Sequence, residues 1–119
     1  APSQLLPIFQ QAAQMSGIPV EVLLAVGRVE SGFSPRAIGP YLPQFAGTEN
    51  EHALGMMQFL PSTYRGYVRL VDGATGKNLG EEGIWDAESI IFAAAFYLRD
   101  SGAPGDMHRE TPSQPGVWP

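Results

Sequence analysis

The sequence predicts a mostly α-helical domain, on three grounds. Apolar residues recur at helical spacing in separate stretches, glycines suited to stop a helix follow those stretches, and no segment shows the two-residue period of a strand. In the first stretch Leu5, Ile8, Phe9, Ala12, Ala13 and Met15 form the stripe, with Ser3 as cap and Gly17 as stop. The second covers residues 19–31; Pro19 falls in the first turn, Val22, Leu23, Val26 and Val29 form the stripe, and Gly32 ends it. From residue 33 to 53 the breakers Pro35, Gly39, Pro40, Pro43 and Gly47 predict a long loop. Residues 55–59 are compact and apolar, Pro61-Ser62-Thr63 opens a helix reaching about Leu70, and residues 72–83, carrying Gly73, Gly76, Gly80 and Gly83, read as loop. Asp86 caps a helix over residues 87–100, whose alanine-rich centre predicts the most buried helix, closed by Gly102. Beyond it Pro104, Pro112, Pro115 and Pro119 predict an extended tail, so the expected division is a domain over 1–102 and a Pro-rich C-terminal extension over 103–119.

Composition narrows the function classes. A chain of 119 residues is one ordinary domain that buries roughly two-thirds of its unfolded surface, and 44% hydrophobic content supplies a core. Charged residues are 16%, below the usual share of about 25%, which excludes charge-driven disorder. No cysteine is present, so disulfides, a thiol nucleophile and thiolate metal sites are excluded. The net charge is −5 with a pI near 4.8, and Arg28, Arg36, Arg65, Arg69, Lys77, Arg99 and Arg109 are scattered singly. Without a basic stripe no nucleic-acid partner is expected, and no apolar run approaches the ~20 residues of a membrane span. The chain begins at Ala1, as expected of a mature chain after signal removal or a domain cut from a longer protein.

Glu30 is the first chemical oddity. Four residues before it stands Val26, and four before that Val22, so its carboxyl projects from the edge of an apolar stripe at the C-terminal end of its helix. Low dielectric and the negative helix end both disfavour its charge. Either the helix is rotated and Glu30 is solvated, or the carboxyl stays protonated near neutral pH, as a general acid requires. Gln58, between Met57 and Phe59, needs hydrogen-bond partners if buried, and these are either backbone groups of a core turn or a hydroxyl-bearing ligand. Tyr97 on the last helix is either a core tyrosine or a site residue.

Taken together, Glu30-Ser31-Gly32-Phe33, the run Gly55-Met56-Met57-Gln58-Phe59-Leu60-Pro61-Ser62-Thr63, and Ile84-Trp85-Asp86 followed by Ala94-Ala95-Phe96-Tyr97-Leu98 resemble, in type and order, the lytic transglycosylases. The resemblance covers residues 8–102 and is nearest the membrane-bound B-type branch and its actinobacterial and phage relatives. It implies a lysozyme-like (goose-type) α-helical domain with a saccharide groove, acting on peptidoglycan glycan strands outside the cytoplasm, as a monomer or part of a larger protein. It also implies Glu30 as catalytic acid/base, Gln58 lining the groove, Tyr97 orienting the Glu30 carboxyl, and Ser31, Met57 and Ser62 near the sugar. In that family one carboxylate suffices: it protonates the bridging oxygen between N-acetylmuramic acid and N-acetylglucosamine, then deprotonates the muramyl O6 hydroxyl, which closes on C1 as a 1,6-anhydro end.

The loop of residues 38–53 is longer than the linker expected in the B-type branch. Tyr41 and Phe45 in it either stack on sugar or anchor the loop. Glu49 and Glu51 leave open a hydrolytic, inverting outcome if either reaches the site, since inverting enzymes place a water between two carboxylates. A non-catalytic glycan-binding module is the third reading. No cofactor and no metal are expected: Asp72-Gly73-Ala74-Thr75-Gly76-Lys77-Asn78 lacks the alternating carboxylates of a calcium loop, and His52 and His108, too far apart for zinc, read as surface residues. The acidic surface predicts affinity from stacking and hydrogen bonds rather than from charge.

Overall fold

A computed structural model describes residues 2–102, and the Pro-rich extension and His108 lie outside the described residues. Five helices carry the fold: α1 (Leu6–Ser16), α2 (Val20–Ser31), α3 (Pro61–Arg65), α4 (Val68–Thr75) and α5 (Ala87–Asp100), with single 3-10 turns at Pro43–Phe45 and Gly80–Trp85. Among the described residues there is no strand, only isolated antiparallel bridges pairing Ile38 with Leu54 and Leu54 with Phe59. The mostly α expectation is met.

α5 is the pillar. Every residue from Ser89 to Phe96, and Leu98, is buried, and α1, α2, α4 and the Gly80–Trp85 turn pack around it. Ala93, Ala94 and Ala95 expose no surface, and such small side chains let neighbouring helices approach closely. Asp86 caps it as expected, accepting hydrogen bonds from the Ser89 N–H (3.0 Å) and hydroxyl (2.9 Å). Lys77 Nζ bridges Asp86 (3.1 Å) and Glu88 (3.1 Å) beside that cap.

The ends of α1 and α2 follow sequence logic only in part. Gly17 and Gly32 close them in left-handed conformation, as expected, but Leu5 occupies the α1 N-cap without a side-chain cap bond, so Ser3 is not the cap. Pro19 is the N-cap residue of α2 rather than a first-turn residue. The inward stripe of α2 is Leu23, Val26, Gly27 and Glu30, whereas Val29, expected on it, is 70% exposed. The helix is thus rotated so that Glu30 lies on the stripe rather than at its edge, at i+4 from Val26 and i+7 from Leu23.

The middle of the chain corrects two expectations. The helix opened by Pro61 stops at Arg65, and residues 68–75, of which 72–75 were expected as loop, form α4. The break at Gly66 and Tyr67 lets Tyr64, Tyr67 and Val71 all face the core: Tyr64 packs edge-on against Phe59 (5.8 Å) and Tyr67 against Tyr97 (6.1 Å). Burial and the Asp100 carboxylate, which accepts its hydroxyl (3.0 Å), push Tyr67 up to about 12. Gly73 costs α4 about 1 kcal/mol of helix propensity. Burial of Val71 and the bond from the Gly80 N–H to Asp72 (3.0 Å) offset it.

Burial pushes the Asp86 carboxyl up, but the bonds from Ser89 and Lys77 outweigh it and hold the group below its ordinary value of 3.8. A carboxylate depressed in the folded state adds stability above its unfolded value, and that stability is lost as pH falls through the folded value. Thermal melts are therefore expected to drop as pH falls below about 4. Asp86→Ala is expected to lose about 1 kcal/mol, or about 4–8 °C, near pH 7 and to flatten that acid limb.

Candidate functional site

Three segments converge around the C-terminal end of α2. Glu30 sits in the last turn of that helix, half-buried, with its Oε1 atom fully buried. Its neighbour Ser31 ties the helix end to a distant turn: its hydroxyl donates to the Met56 carbonyl (2.7 Å) and accepts from the Ser34 N–H (3.0 Å). Gly32 and Phe33, both with positive φ (61° and 64°), reverse the chain there, and the Phe33 ring packs edge-on against Phe9 (6.0 Å).

The turn itself, residues 55–58, is closed by reciprocal bonds between Leu54 and Phe59 (2.9 and 3.0 Å) and joined to the chain after α2 by the Gly55 N–H donating to Ala37 (2.8 Å). Gly55 has φ 84°, and a Cβ there would collide with the Ile84 carbonyl oxygen. Only glycine satisfies both demands. Gln58 is also left-handed, φ 58°, a conformation a non-glycine residue holds only when its surroundings enforce it. Here they do: Gln58 is 2% exposed, and its Nε2 donates to the carbonyls of Gly55 (3.0 Å) and Ala37 (3.2 Å). The backbone alternative left open by the sequence accounts for its donor; the Oε1 atom lies against Gly39.

Tyr97 comes from α5, half-buried, with its ring edge-on to Phe59 (6.0 Å) and Tyr67 (6.1 Å). Glu30, Ser31, Gln58 and Tyr97 are thereby drawn to one neighbourhood, through Ser31 on Met56 and Phe59 on Tyr97. The remaining candidates separate. Met57 has no exposed surface and supports the turn from within the core. Phe45 packs with Leu42, Ala53 and Leu60 in a small second core beneath the loop, while Tyr41 stays 51% exposed.

Ser62 belongs to a clasp that the sequence reading missed. Asn50 accepts from the Ser62 N–H (3.1 Å) and donates to its hydroxyl (2.8 Å), fastening the loop to α3. Beside it Arg65 pairs with Glu49, donating Nη1–H to Oε2 (2.9 Å), and with Glu81 (3.2 Å). The Arg65 guanidinium holds the Glu49 carboxyl below its ordinary range. Glu51 accepts from the Gly47 N–H (2.6 Å). Both carboxylates considered for a second catalytic role are committed to the loop. No sequence signal marks the Asn50–Ser62 pair, because a contact across twelve residues of irregular chain has no period. His52, read as a surface residue, is half-buried, with Nδ1 2.8 Å from the Gly39 carbonyl oxygen. Among the described residues no three His, Cys, Asp or Glu side chains are grouped to hold a metal.

Comparison with protein-family models matches residues 7–105 to the transglycosylase SLT domain, which covers all five helices but for the first residue of α1. The chain belongs to the transglycosylase SLT domain family. No match was found among curated proteins or among solved structures. As a transglycosylase SLT domain it is of a glycan-cleaving type that acts on peptidoglycan of the cell wall. Among its described residues no helix is long and apolar enough to cross a membrane. The SLT match takes in both Glu30 and Tyr97 and the turn between them in sequence.

Gly55→Ala in this SLT domain is expected to lose at least about 2 kcal/mol in urea unfolding, from left-handed strain plus backbone collision. Arg65→Ala is expected to leave the melting temperature nearly unchanged, because surface ion pairs contribute little. It should nonetheless speed amide exchange across residues 42–51, the part of the loop that the clasp restrains.

Proposed function

We propose that the protein is a lytic transglycosylase that cleaves the β-1,4 bond between N-acetylmuramic acid and N-acetylglucosamine and leaves a 1,6-anhydromuramyl end, with Glu30 as the single acid/base. The observation that carries this reading is the position of Glu30: on the apolar stripe of α2, in its last turn, with Oε1 buried, in a chain of the SLT family. Low dielectric and the negative end of the helix dipole both favour the protonated carboxyl. That is the form needed to donate a proton to the bridging oxygen as the bond to the muramyl C1 breaks. The carboxylate so formed takes the proton of the muramyl O6 hydroxyl as that oxygen bonds C1, which regenerates the acid. No water is consumed and no second carboxylate is needed. The commitment of Glu49 to Arg65 and of Glu51 to Gly47 supports this over the inverting route, which uses two.

In this reading Tyr97 orients the Glu30 carboxyl. Gln58 shapes the groove by locking the 55–58 turn, and Ser31 fixes the helix end from which Glu30 projects. The runs at residues 59–63 and 84–86 support the B-type branch. The substrate puts the site of action outside the cytoplasm, and neither a cofactor nor a metal takes part.

Glu30→Gln keeps size and hydrogen bonding but has no proton to give. Clearing of peptidoglycan sacculi by it is expected to slow by at least about a hundredfold. Mass spectrometry of the products of the parent protein should show anhydro ends. Muropeptides heavier by one water identify hydrolysis instead, and undiminished clearing by Glu30→Gln removes the catalytic assignment.

A further inference from the structure

The loop after α2 is a built element rather than a tether. Its outgoing limb pairs with its return limb through the Gly39 N–H donating to Ala53 (2.8 Å) and the Leu42 N–H donating to Glu51 (2.7 Å). Successive residues of an extended limb face opposite sides. Leu42 accordingly enters the small core with Phe45, Ala53 and Leu60, and Tyr41 points away from it, 51% exposed. Phe45 and Leu42 already anchor the loop, so anchoring does not explain Tyr41. Among the described residues Tyr41 is the one aromatic side chain with most of its surface so open, and Ile38, 65% exposed, stands near it on the same limb.

Its ring is not loose. It meets the ring of His52 edge-on, with centroids 5.9 Å apart at 61°. His52 in turn is fixed by its Nδ1, 2.8 Å from the Gly39 carbonyl oxygen. A carbonyl only accepts, so Nδ1 carries the proton, and the contact survives in either charge state of the ring. Gly39 lies directly on the side chain of Gln58: a Cβ there would collide with Oε1. From Gly39 to Tyr41 is two residues, at most about 7 Å of extended chain. A continuous set of contacts thus runs from the Gln58 turn, which Ser31 joins to the end of α2, through Gly39 and His52 to an exposed aromatic face.

We propose that Tyr41 is a stacking platform for an N-acetylhexosamine ring of the glycan, and that His52 is the positioning residue that holds it at a fixed place relative to the Gln58 turn. This rests on the transglycosylase reading for its ligand. Aromatic faces beside a few fixed polar groups are how sugar-sized ligands are bound, and a ring held in advance loses less freedom on binding than a free one.

The test is a double-mutant cycle in the Glu30→Gln protein, read as binding of a β-1,4-linked N-acetylglucosamine tetramer by NMR titration, which needs no turnover. Tyr41→Ala is expected to weaken binding about tenfold, and His52→Ala by a comparable factor. The pair together should bind no more weakly than Tyr41→Ala alone, because His52 acts through Tyr41. His52→Phe keeps the edge contact but loses the bond to Gly39, so it is expected to bind between the parent and His52→Ala, and an unchanged melting curve separates positioning from loop collapse. Parental affinity in Tyr41→Ala or in His52→Ala overturns the proposal, as do losses that multiply in the double variant. Absence of tetramer binding by the parent overturns it as well. Sacculus clearing that persists in Glu30→Gln strikes the catalytic reading alone, since the binding cycle remains readable.

Discussion

A single hydrogen bond, from the Ser31 hydroxyl to the Met56 carbonyl, joins segments 25 residues apart and fixes where the end of α2 lies. Glu30 projects from the helical turn that this bond anchors. The partner turn is equally constrained. Gly55 is wedged against the Ile84 backbone, and Gln58 is held left-handed by two carbonyls that its own amide satisfies. A helix end with a buried carboxylate oxygen is electrostatically unfavourable, since low dielectric and the helix dipole act in the same direction. Such an arrangement persists only where surrounding structure fixes it, and the surrounding structure here is the rigid 55–58 turn.

That turn owes its rigidity to α5. With nearly its whole length buried, α5 presents Ile90 to Gly55 and Tyr97 to Phe59, so the same helix braces the turn from both ends. Its own start is fixed by Asp86, whose carboxylate serves at once as helix cap and as the ionic partner of Lys77. Stability and turn geometry are therefore not separable at this helix, because the residues that fill the core are interleaved with the one that packs on Phe59.

The long loop obeys different physics. Its small core of Leu42, Ala53 and Leu60, with Phe45 against it, is distinct from the main one, and its rim is tied down by polar contacts, Asn50 with Ser62 and Glu49 with Arg65. Exposed pairs of this kind define a position more than they stabilise a fold. The two acidic residues of the loop rim are spent on this structural task, Glu49 on Arg65 and Glu51 on the Gly47 N–H.

Much of this was legible in residue order. Helical spacing marked α1, α2 and α5, glycine marked two helix ends, Asp86 marked a cap, and the Glu-Ser, Gly-Met-Met-Gln and Ala-rich Tyr-Leu runs marked the family, because each is a local pattern that physics writes into neighbouring residues. The local signals failed where a distant contact outweighed them. Gly73 reads as a breaker, yet α4 forms because Val71 is buried and Asp72 receives Gly80. Val29 reads as core, yet α2 is rotated to bring Glu30 onto the stripe instead. By itself the sequence determined the helical class and the family, since these depend on side-chain type and short spacing. Only the tertiary structure decided that Gln58 is locked to Ala37, that Ser62 is a clasp, and that Phe45 packs on the small core while Tyr41 stays exposed. Those outcomes depend on contacts between residues 8 to 21 positions apart, and such contacts are set by packing, which has no period for a sequence to display.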